Sequence, residues 1–297
     1  MSSTSNPDLL EYYRRYGQMT DPREEARLFE ELPHNVAALR DVVQGLMVHV
    51  FWASRYGLTI RADREQELRI RSAAEKLRQI HRLDDRPLAE PRPLEKRLVG
   101  NCRDFSVMLS SMLKHGGVPA RARCGFATYF APNHFEDHWV VEYWQGRWVR
   151  VDAQLDAFQR DALGIRFDPL NVPDDKFLVG GKTWQICRTG KADPEKFGIS
   201  DLHGLWFVRG NLVRDLASLN KMELLPWDSW GIADSRDQGL SKSDLVLLDR
   251  VAVTTQADND GFGNVRSIYD SNAGLRVPPV TRSYLKTGVQ TVDIETR

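Results

Sequence analysis

The segment "GNCRDFSVMLSSMLKHGGVPARARCGF" (residues 100–126) carries the strongest indication of the fold. Asn101 is a favoured helix N-cap, and Asp104 can return a hydrogen bond to the cap, so the pattern predicts a helix that begins at Cys102. Apolar side chains at positions 105, 108, 109 and 112 follow with the spacing of one buried helix face. Cys102 lies on the N-terminal extension of that face.

The position of Cys102 favours two different interpretations. Unpaired N–H groups and the positive end of the helix dipole stabilise a thiolate in a first turn, although the carboxylate of Asp104 opposes this effect. Free cysteines are also among the most frequently buried residues, and buried thiols are usually inert. The helix start alone therefore does not separate a reactive thiol from a core residue.

The flanking sequence predicts further helices and strands. Helical spacing of apolar residues upstream predicts two helices, and a proline-rich loop follows them. Short runs rich in β-branched and aromatic residues predict three consecutive strands downstream of the Cys102 helix. The predicted helices cover residues 33–55, 62–83, 205–220 and 242–254, and the strands cover residues 119–130, 137–144 and 147–152. One helix followed by consecutive strands indicates an α+β fold.

Four motifs in this region occur in a recognisable order. Cys102 opens the helix, the run 117–121 ("GVPAR") leads into the first strand, His138 precedes Trp139 in the second strand, and Asp152 ends the third. This order resembles the transglutaminase-like core, a branch of the papain-like cysteine enzymes. The sequence departs from the family pattern after the aspartate, where Ala-Gln replaces the usual Pro-Thr.

The resemblance implies a fold and a catalytic triad. The expected fold is a papain/transglutaminase-like core, in which a central helix packs on an antiparallel sheet, with N-terminal helices and a mixed C-terminal extension. The expected segments are an N-terminal helical part (1–90), a catalytic core (91–156) and an extension packed on the core (157–297). The implied roles are Cys102 as nucleophile, His138 as general base and acid, and Asp152 as the carboxylate that orients the histidine.

The hairpin between the second and third strands decides whether His138 and Asp152 share a face. A two-residue turn would send His138 to the face opposite Asp152. A three-residue loop over residues 144–146, with Gly146 in the left-handed region, would place Tyr143 opposite Arg147 and His138 opposite Asp152. We therefore predict the three-residue loop, which also gathers Trp139, Val141, Val149 and Val151 on the other face.

Acyl transfer also requires an oxyanion hole and a substrate pocket. The backbone N–H of Cys102 is the expected first oxyanion donor, and Gln44 or Trp52 is the expected second. The dense run of charged and aromatic residues at 211–230 predicts either a structural cap or one wall of the pocket. The candidate substrate-binding residues are Arg214, Trp227, Asp228 and His134.

Metal-binding interpretations fit the sequence poorly. His134 and His138 are four residues apart, but the second leads into a strand, so the geometry of a helical zinc protease is absent. Cys124 and Cys187 match no zinc spacing and are predicted to be small core residues. The acidic calcium loops of animal transglutaminases have no counterpart here. We expect no metal and no cofactor.

Composition limits the remaining function classes. The chain has 41 basic and 41 acidic residues, well mixed, which gives no overall field for nucleic acid or an anionic membrane. No segment of the N terminus has the pattern of a signal peptide, and three widely spaced cysteines fit a reducing compartment, so a cytoplasmic location is expected. The substrate is expected to be a peptide, amide or thioester.

The expected reaction passes through an acyl-thioester at Cys102, most simply in peptidase- or amidase-type hydrolysis. The first alternative is transglutaminase-type transfer to an amine, for crosslinking or for amide formation on a small molecule. The second alternative is a binding module without catalysis, although all three triad positions are filled. Arylamine acetyltransferases use a similar triad, but their glycine-rich approach to the cysteine is missing here.

Overall fold

The computed structural model describes residues 6–234, 239–257 and 261–294. The chain divides into two compact units that are each discontinuous in sequence. Unit 1 contains the described parts of residues 1–9, 123–139 and 173–297, and unit 2 contains residues 10–122 and 140–172.

Helices and strands alternate in no simple repeat, which is the mixed α+β class predicted from the sequence. The helices are α1 (Pro7–Arg14), α2 (Val36–Leu46), α3 (Ala73–Leu83), α4 (Cys102–His115), α5 (Ala157–Leu163), α6 (Gly180–Arg188), α7 (Leu205–Leu219), α8 (Gly231–Asp234), α9 (Lys242–Thr254) and α10 (Phe262–Asp270). The strands are β1 (Met47–His49), β2 (Leu98–Gly100), β3 (Ala120–Ala131), β4 (His134–Trp144), β5 (Trp148–Val151), β6 (Phe177–Val179), β7 (Phe197–Ile199), β8 (Leu202–His203), β9 (Asp228–Ser229), β10 (Val280–Leu285) and β11 (Gly288–Asp293). Short 3-10 helices cover Arg23–Phe29, Ala53–Tyr56, Ala62–Arg69, Leu94–Lys96 and Pro194–Lys196.

The hydrophobic core of unit 2 forms around α4. Apolar side chains of α4 pack with those of α2 and α3 on one side and with the β4–β5 hairpin on the other. The participating residues include Val43, Leu46, Leu77, Ile80, Phe105, Met108, Leu109, Met112, Val141, Tyr143, Val149 and Val151. A central helix thus packs on antiparallel strands, as the resemblance implied.

Unit 1 is organised by the outer parts of β3 and β4 and by α7. Strand β6 pairs antiparallel with β3, while β7 pairs parallel with β4 and antiparallel with β8. Phe126 of β3 lies in ring contact with Phe207 of α7, at 6.2 Å between centroids. A separate antiparallel sheet has the order β11-β10-β9.

The predicted register of the β4–β5 hairpin is wrong by two residues. Trp144 lies opposite Trp148 and Val141 opposite Val151, so the three-residue loop covers residues 145–147 instead of 144–146. The loop still has three residues, Gly146 has a φ of 74°, and the amide N of Gln145 donates to the carbonyl O of Arg147 at 2.9 Å. The ladder ends at Val151, so Asp152 lies beyond it and is not opposite His138.

Cross-strand pairs explain the observed register. Glu142 and Arg150 are direct partners and form an ion pair of 3.2 Å, and the rings of Trp144 and Trp148 meet edge to face at 5.4 Å. Both kinds of pair stabilise antiparallel strands when the residues are directly opposite. The predicted apolar face of Val141, Val149 and Val151 is confirmed, because a two-residue shift preserves the faces.

Two predicted helices are shorter than the apolar pattern suggested. The helix predicted over residues 33–55 ends at Leu46, where Met47 adopts extended angles and begins β1. The helix predicted over residues 62–83 is regular only in α3, and Ser72 with Glu75 forms the capping box that starts it. The later helices are confirmed at 205–219 and 242–254, and the three predicted strands correspond to β3, β4 and β5.

Arg121 and Arg123 of β3 are buried. The Nε of Arg121 donates to Oε2 of Glu142 at 2.8 Å within unit 2. Arg123 makes two hydrogen bonds with the carboxylate of Asp215 within unit 1, at 2.9 and 2.8 Å. Charged groups that leave water need such partners.

Candidate active site

Strand β2 delivers the chain directly to the start of α4. Strands β1 and β2 pair in parallel, and the amide N of Val50 donates to the carbonyl O of Gly100 at 2.9 Å. A Cβ on Gly100 would lie 2.6 Å from Cε of Met47 and 3.2 Å from Oδ2 of Asp104. Glycine at this position therefore allows the close approach that sets the start of the helix.

The predicted capping box at the start of α4 is present. The amide N of Asp104 donates to Oδ1 of Asn101 at 3.3 Å, and the amide N of Asn101 donates to Oδ2 of Asp104 at 3.0 Å. Cys102 is the first residue of the 14-residue helix, as predicted. Cys102 therefore lies in the first turn, whose N–H groups have no intrahelical partners.

A buried charge cluster lies beside this turn. Oδ1 of Asp104 accepts from Nζ of Lys76 at 2.8 Å and from Nη1 of Arg103 at 3.0 Å, and all three side chains are fully buried. Burial lowers the pKa of Lys76 to about 8, with the carboxylate of Asp104 opposing that shift. The carboxylate of Asp104 therefore has two cationic partners, Lys76 and Arg103.

Sequence reasoning did not single out Lys76 or Arg103. Lys76 lies on the buried face of α3, between Ala73 and Leu77, where the pattern otherwise places apolar residues. A lysine within an apolar stripe is the signal that could have indicated a buried ion pair. The structure also changes the expected influence of Asp104, because its negative charge is compensated by two cations.

The three cysteines are unpaired thiols in different environments. Cys102 is 7% exposed at a helix N terminus, while Cys187 is 8% exposed in the last turn of α6. Burial raises the pKa of the Cys187 thiol to about 12. Cys124 is fully buried in β3. The prediction that Cys124 and Cys187 are buried core thiols is confirmed.

Asp152 of unit 2 is fully buried just after β5. Its Oδ1 accepts from the amide N of Gln154 at 2.9 Å and from the amide N of Leu155 at 3.3 Å. These bonds fix one oxygen of the carboxylate by the local backbone. These two hydrogen bonds alone are enough to hold the carboxylate in one orientation.

Gln44 and Trp52, the two candidates for a second oxyanion donor, both belong to unit 2. Nε2 of Gln44 donates to the carbonyl O of Ala153 at 3.1 Å. Trp52 is buried beneath Arg55, whose guanidinium carbon lies 4.6 Å from the ring centroid. Gln44 also borders a cavity of about 10 Å³, together with Phe105 and Gln154, and Trp52 does not. Of the two, Gln44 is nearer in the fold to the helix that carries Cys102.

His138 lies on β4 in unit 1 and is 1% exposed. The rings of Tyr129, Phe130 and Phe177 meet the imidazole edge to face, with centroid distances of 5.9, 4.9 and 6.3 Å. Tyr129 and Phe130 are half-buried, so they separate the imidazole from solvent. A dry imidazole with aromatic neighbours is suited to proton transfer without competition from bulk water.

Comparison with known proteins identifies the segment that carries these residues. Residues 59–153 match the family model of the Transglutaminase-like superfamily. This segment is therefore similar to the transglutaminase-like core. The match covers just under a third of the chain and includes Cys102, His138 and Asp152. No curated protein matches.

One solved structure shows a low similarity. It is a candidate cysteine protease from Cytophaga hutchinsonii, 15% identical, with a TM-score of 0.36 over 59% of this chain and 47% of that chain. The similarity thus spans about half the length of that protein.

Three predicted substrate-binding residues, Arg214, Trp227 and Asp228, lie outside residues 59–153, and all three belong to unit 1. Nη1 of Arg214 donates to Oδ1 of Asn211 at 3.0 Å, and Oδ2 of Asp228 accepts from the amide N of Leu225 at 3.1 Å. Trp227 is half-buried, and its indole N–H has no hydrogen-bond partner within residues 6–234, 239–257 and 261–294. Nε of Arg214 also lacks a partner among the described residues, and both this atom and the indole N–H of Trp227 are shielded from solvent.

His134 is the predicted substrate-binding residue that lies within residues 59–153. It is half-buried at the first position of β4. Over the described part of the chain, no three His, Cys, Asp or Glu side chains are grouped so that they could hold a metal ion. None of the described helices has the length and apolar character that crossing a membrane would require.

Proposed function

We propose that this protein is a cysteine-dependent acyl-transfer enzyme, with Cys102 as nucleophile, His138 as general base and acid, and Asp152 as the carboxylate that orients the imidazole. The match to the transglutaminase-like superfamily supports the cysteine-enzyme class. The roles of the three residues rest on the order of their motifs and on the local environment of each.

The start of α4 is the observation that carries the proposal. A thiolate at Cys102 would be stabilised by the N–H groups of the first turn, where the opposing charge of Asp104 is compensated by Lys76 and Arg103. Cations next to a thiol at a helix N terminus are typical of activated cysteines.

The proposed chemistry has two steps. In the first, the sulfur of Cys102 attacks the carbonyl carbon of an amide, the C–N bond breaks, and the imidazolium of His138 gives its proton to the departing amine. In the second, His138 takes a proton from water while that water attacks the acyl-thioester, which releases the acid and the thiol. The backbone N–H of Cys102 would stabilise the oxyanion of both tetrahedral intermediates.

Hydrolysis is the first choice for the second step, and transfer to an amine is the alternative. The two differ only in the nucleophile that attacks the acyl-thioester. We place the reaction in the cytoplasm, because its reducing conditions keep a free nucleophilic thiol intact.

The decisive experiment detects the acyl-thioester by intact mass. The full chain is incubated with a panel of peptide amides and thioesters, beside Cys102→Ala, His138→Ala, Asp152→Asn and the control Cys187→Ala. We expect an adduct on the native chain and on Cys187→Ala, none on Cys102→Ala, and slowed formation on the His138 and Asp152 variants. An adduct that survives Cys102→Ala, or no adduct with any acyl donor, would leave the binding-module alternative. A primary amine is then added to the adduct. Release of the acyl group as an acid indicates hydrolysis, and release as an amide indicates transfer to the amine.

We propose Trp227 as a substrate-binding residue, because its half-buried side chain carries an indole N–H that, like Nε of Arg214, has no hydrogen-bond partner among the described residues. Trp227→Phe removes the N–H and keeps most of the ring. The proposal expects a raised KM for the substrate and an unchanged rate of Cys102 alkylation by a small reagent. Unchanged KM would assign this segment to structure alone.

A further inference from the structure

Strand β4 carries an acidic side chain on the same side as His138. Side chains alternate along a strand, so Glu136 and His138 lie on one side, about 7 Å apart. Contacts of the neighbouring residues support this alternation. Phe135 stacks on Phe197 at 4.3 Å, and Oδ1 of Asp137 accepts from Nδ2 of Asn211 at 2.8 Å, both on the other side.

Glu136 has no cation partner among residues 6–234, 239–257 and 261–294. It is half-buried, and burial raises the pKa of its carboxyl, while the nearby His138 opposes the shift. Gly198 lies directly opposite Glu136 and contributes no side chain. His203, the next residue across the sheet, is engaged by Glu195 at 2.6 Å. A partly desolvated carboxylate without a cation is costly to the fold, and such a cost is typical of binding sites.

Aromatic side chains complete the surroundings. Tyr129 and Phe130 are in contact with each other at 4.7 Å and with the imidazole of His138, and both are half-buried. Aromatic faces attract cations, most strongly where water is partly excluded. The carboxylate of Glu136 and the rings of Tyr129 and Phe130 are all neighbours of His138, and a carboxylate and aromatic faces are the groups that attract an ammonium or guanidinium group.

We propose that Glu136, Tyr129 and Phe130 form a cation-binding subsite beside His138, so that the substrate carries an ammonium or guanidinium group as a recognition element. A cation held by a carboxylate keeps its proton and has no free electron pair. The group at this subsite therefore positions the substrate and is not the nucleophile of the acyl-transfer step. This inference rests on the proposed function for the identity of the substrate, but binding at the subsite needs no acyl chemistry.

The test measures binding on the full chain with Cys102→Ala, by the NMR signals of the His138 imidazole. The probes are n-butylammonium, n-butylguanidinium and the uncharged n-butanol. We expect saturable shifts with the two cations and none with butanol. Glu136→Gln should weaken cation binding by at least about tenfold, since a hydrogen bond to a charged group is lost. Asp201→Asn, which removes an exposed carboxylate from the same unit, should leave binding unchanged.

A second variant keeps the test valid if Glu136→Gln fails to fold. Tyr129→Leu should weaken guanidinium binding several-fold and leave the backbone spectrum intact. Equal shifts with butanol, or undiminished cation binding in Glu136→Gln, would overturn the subsite. Cation binding that persists in a protein without acyl-thioester formation would overturn the proposed function and leave the subsite standing.

Discussion

At the scale of single residues, Cys102 and Cys187 form an internal comparison. Their exposed fractions, 7% and 8%, are nearly equal, so unequal reaction rates would report chemistry instead of access. Cys102 opens a helix in which the charge of Asp104 is compensated by Lys76 and Arg103, whereas Cys187 lies in the last turn of α6 and has its pKa raised by burial. The helix dipole favours a thiolate at the first position and disfavours it at the second.

We therefore predict selective alkylation of Cys102. At pH 6–7, iodoacetamide should label Cys102 at least about a hundredfold faster than Cys187, because the rate follows the thiolate fraction. Mass spectrometry of proteolytic peptides after timed quenching measures both rates in one sample. Denatured protein serves as the control, since all three thiols should then react alike. Comparable rates in the native protein would contradict an activated Cys102.

The buried Lys76 gives a prediction on pH and stability. Its pKa is about 8 in the folded protein, below the ordinary lysine value of 10.5, so the unfolded chain binds more protons between these values. The contribution of Lys76 to the free energy of unfolding is constant below about pH 8 and rises from there to about pH 10.5. Urea unfolding at pH 7–10 should show this rise for the native chain and not for Lys76→Met. The exposed Lys96→Met should behave like the native chain.

At the scale of elements, the β4–β5 hairpin depends on a buried ion network. Glu142 accepts from Nε of Arg121 at 2.8 Å and from Nη2 of Arg150 at 3.2 Å. Glu142→Gln would leave two poorly solvated cations, and we predict a loss of about 3–5 kcal/mol in the free energy of unfolding. Asp63→Asn, which breaks the exposed pair with Arg61, should cost under about 1 kcal/mol. Similar small losses for both variants in urea titrations would show that the hairpin is held by its apolar face alone.

The hairpin also shows how far the sequence could predict an element. Turn residues and alternation predicted a three-residue loop with Gly146 in the left-handed region, and both features are present. Alternation has a period of two, so it cannot distinguish registers that differ by two residues. The pairing of Glu142 with Arg150 decides between the two registers. It can be predicted from sequence only by comparing the charges that each register would place opposite each other.

The limits were different for α2 and for Lys76. The apolar spacing from residue 33 to 55 is compatible with one helix, but β1 and β2 gain more by pairing in parallel, which ends the helix at Leu46. Tertiary pairing of this kind overrides local propensity. Lys76 is buried because Asp104, distant in sequence, supplies its counter-charge, and no local pattern reports such a partner.

At the scale of the whole molecule, the sequence match and the folded units have different boundaries. The transglutaminase-like match spans residues 59–153, whereas the core of unit 2 also needs Val43 and Leu46 of α2. The motifs of the Cys102 region are local and could be recognised in sequence. The apolar partners of α4 are spread along the chain and became visible only in the structure.

A fragment of residues 59–153 should therefore fail to fold. It retains α3, α4 and the β4–β5 hairpin but lacks α2, so the apolar face of α4 that packs against Leu39, Val43 and Leu46 would be exposed to water. Removing three such side chains costs about 1.5–3 kcal/mol each in lost burial, a large part of the stability of a small domain. Circular dichroism and amide-exchange NMR should show little protected helix in the fragment. The full chain, measured in parallel, should unfold cooperatively, and protected α4 amides in the fragment would contradict the dependence on α2.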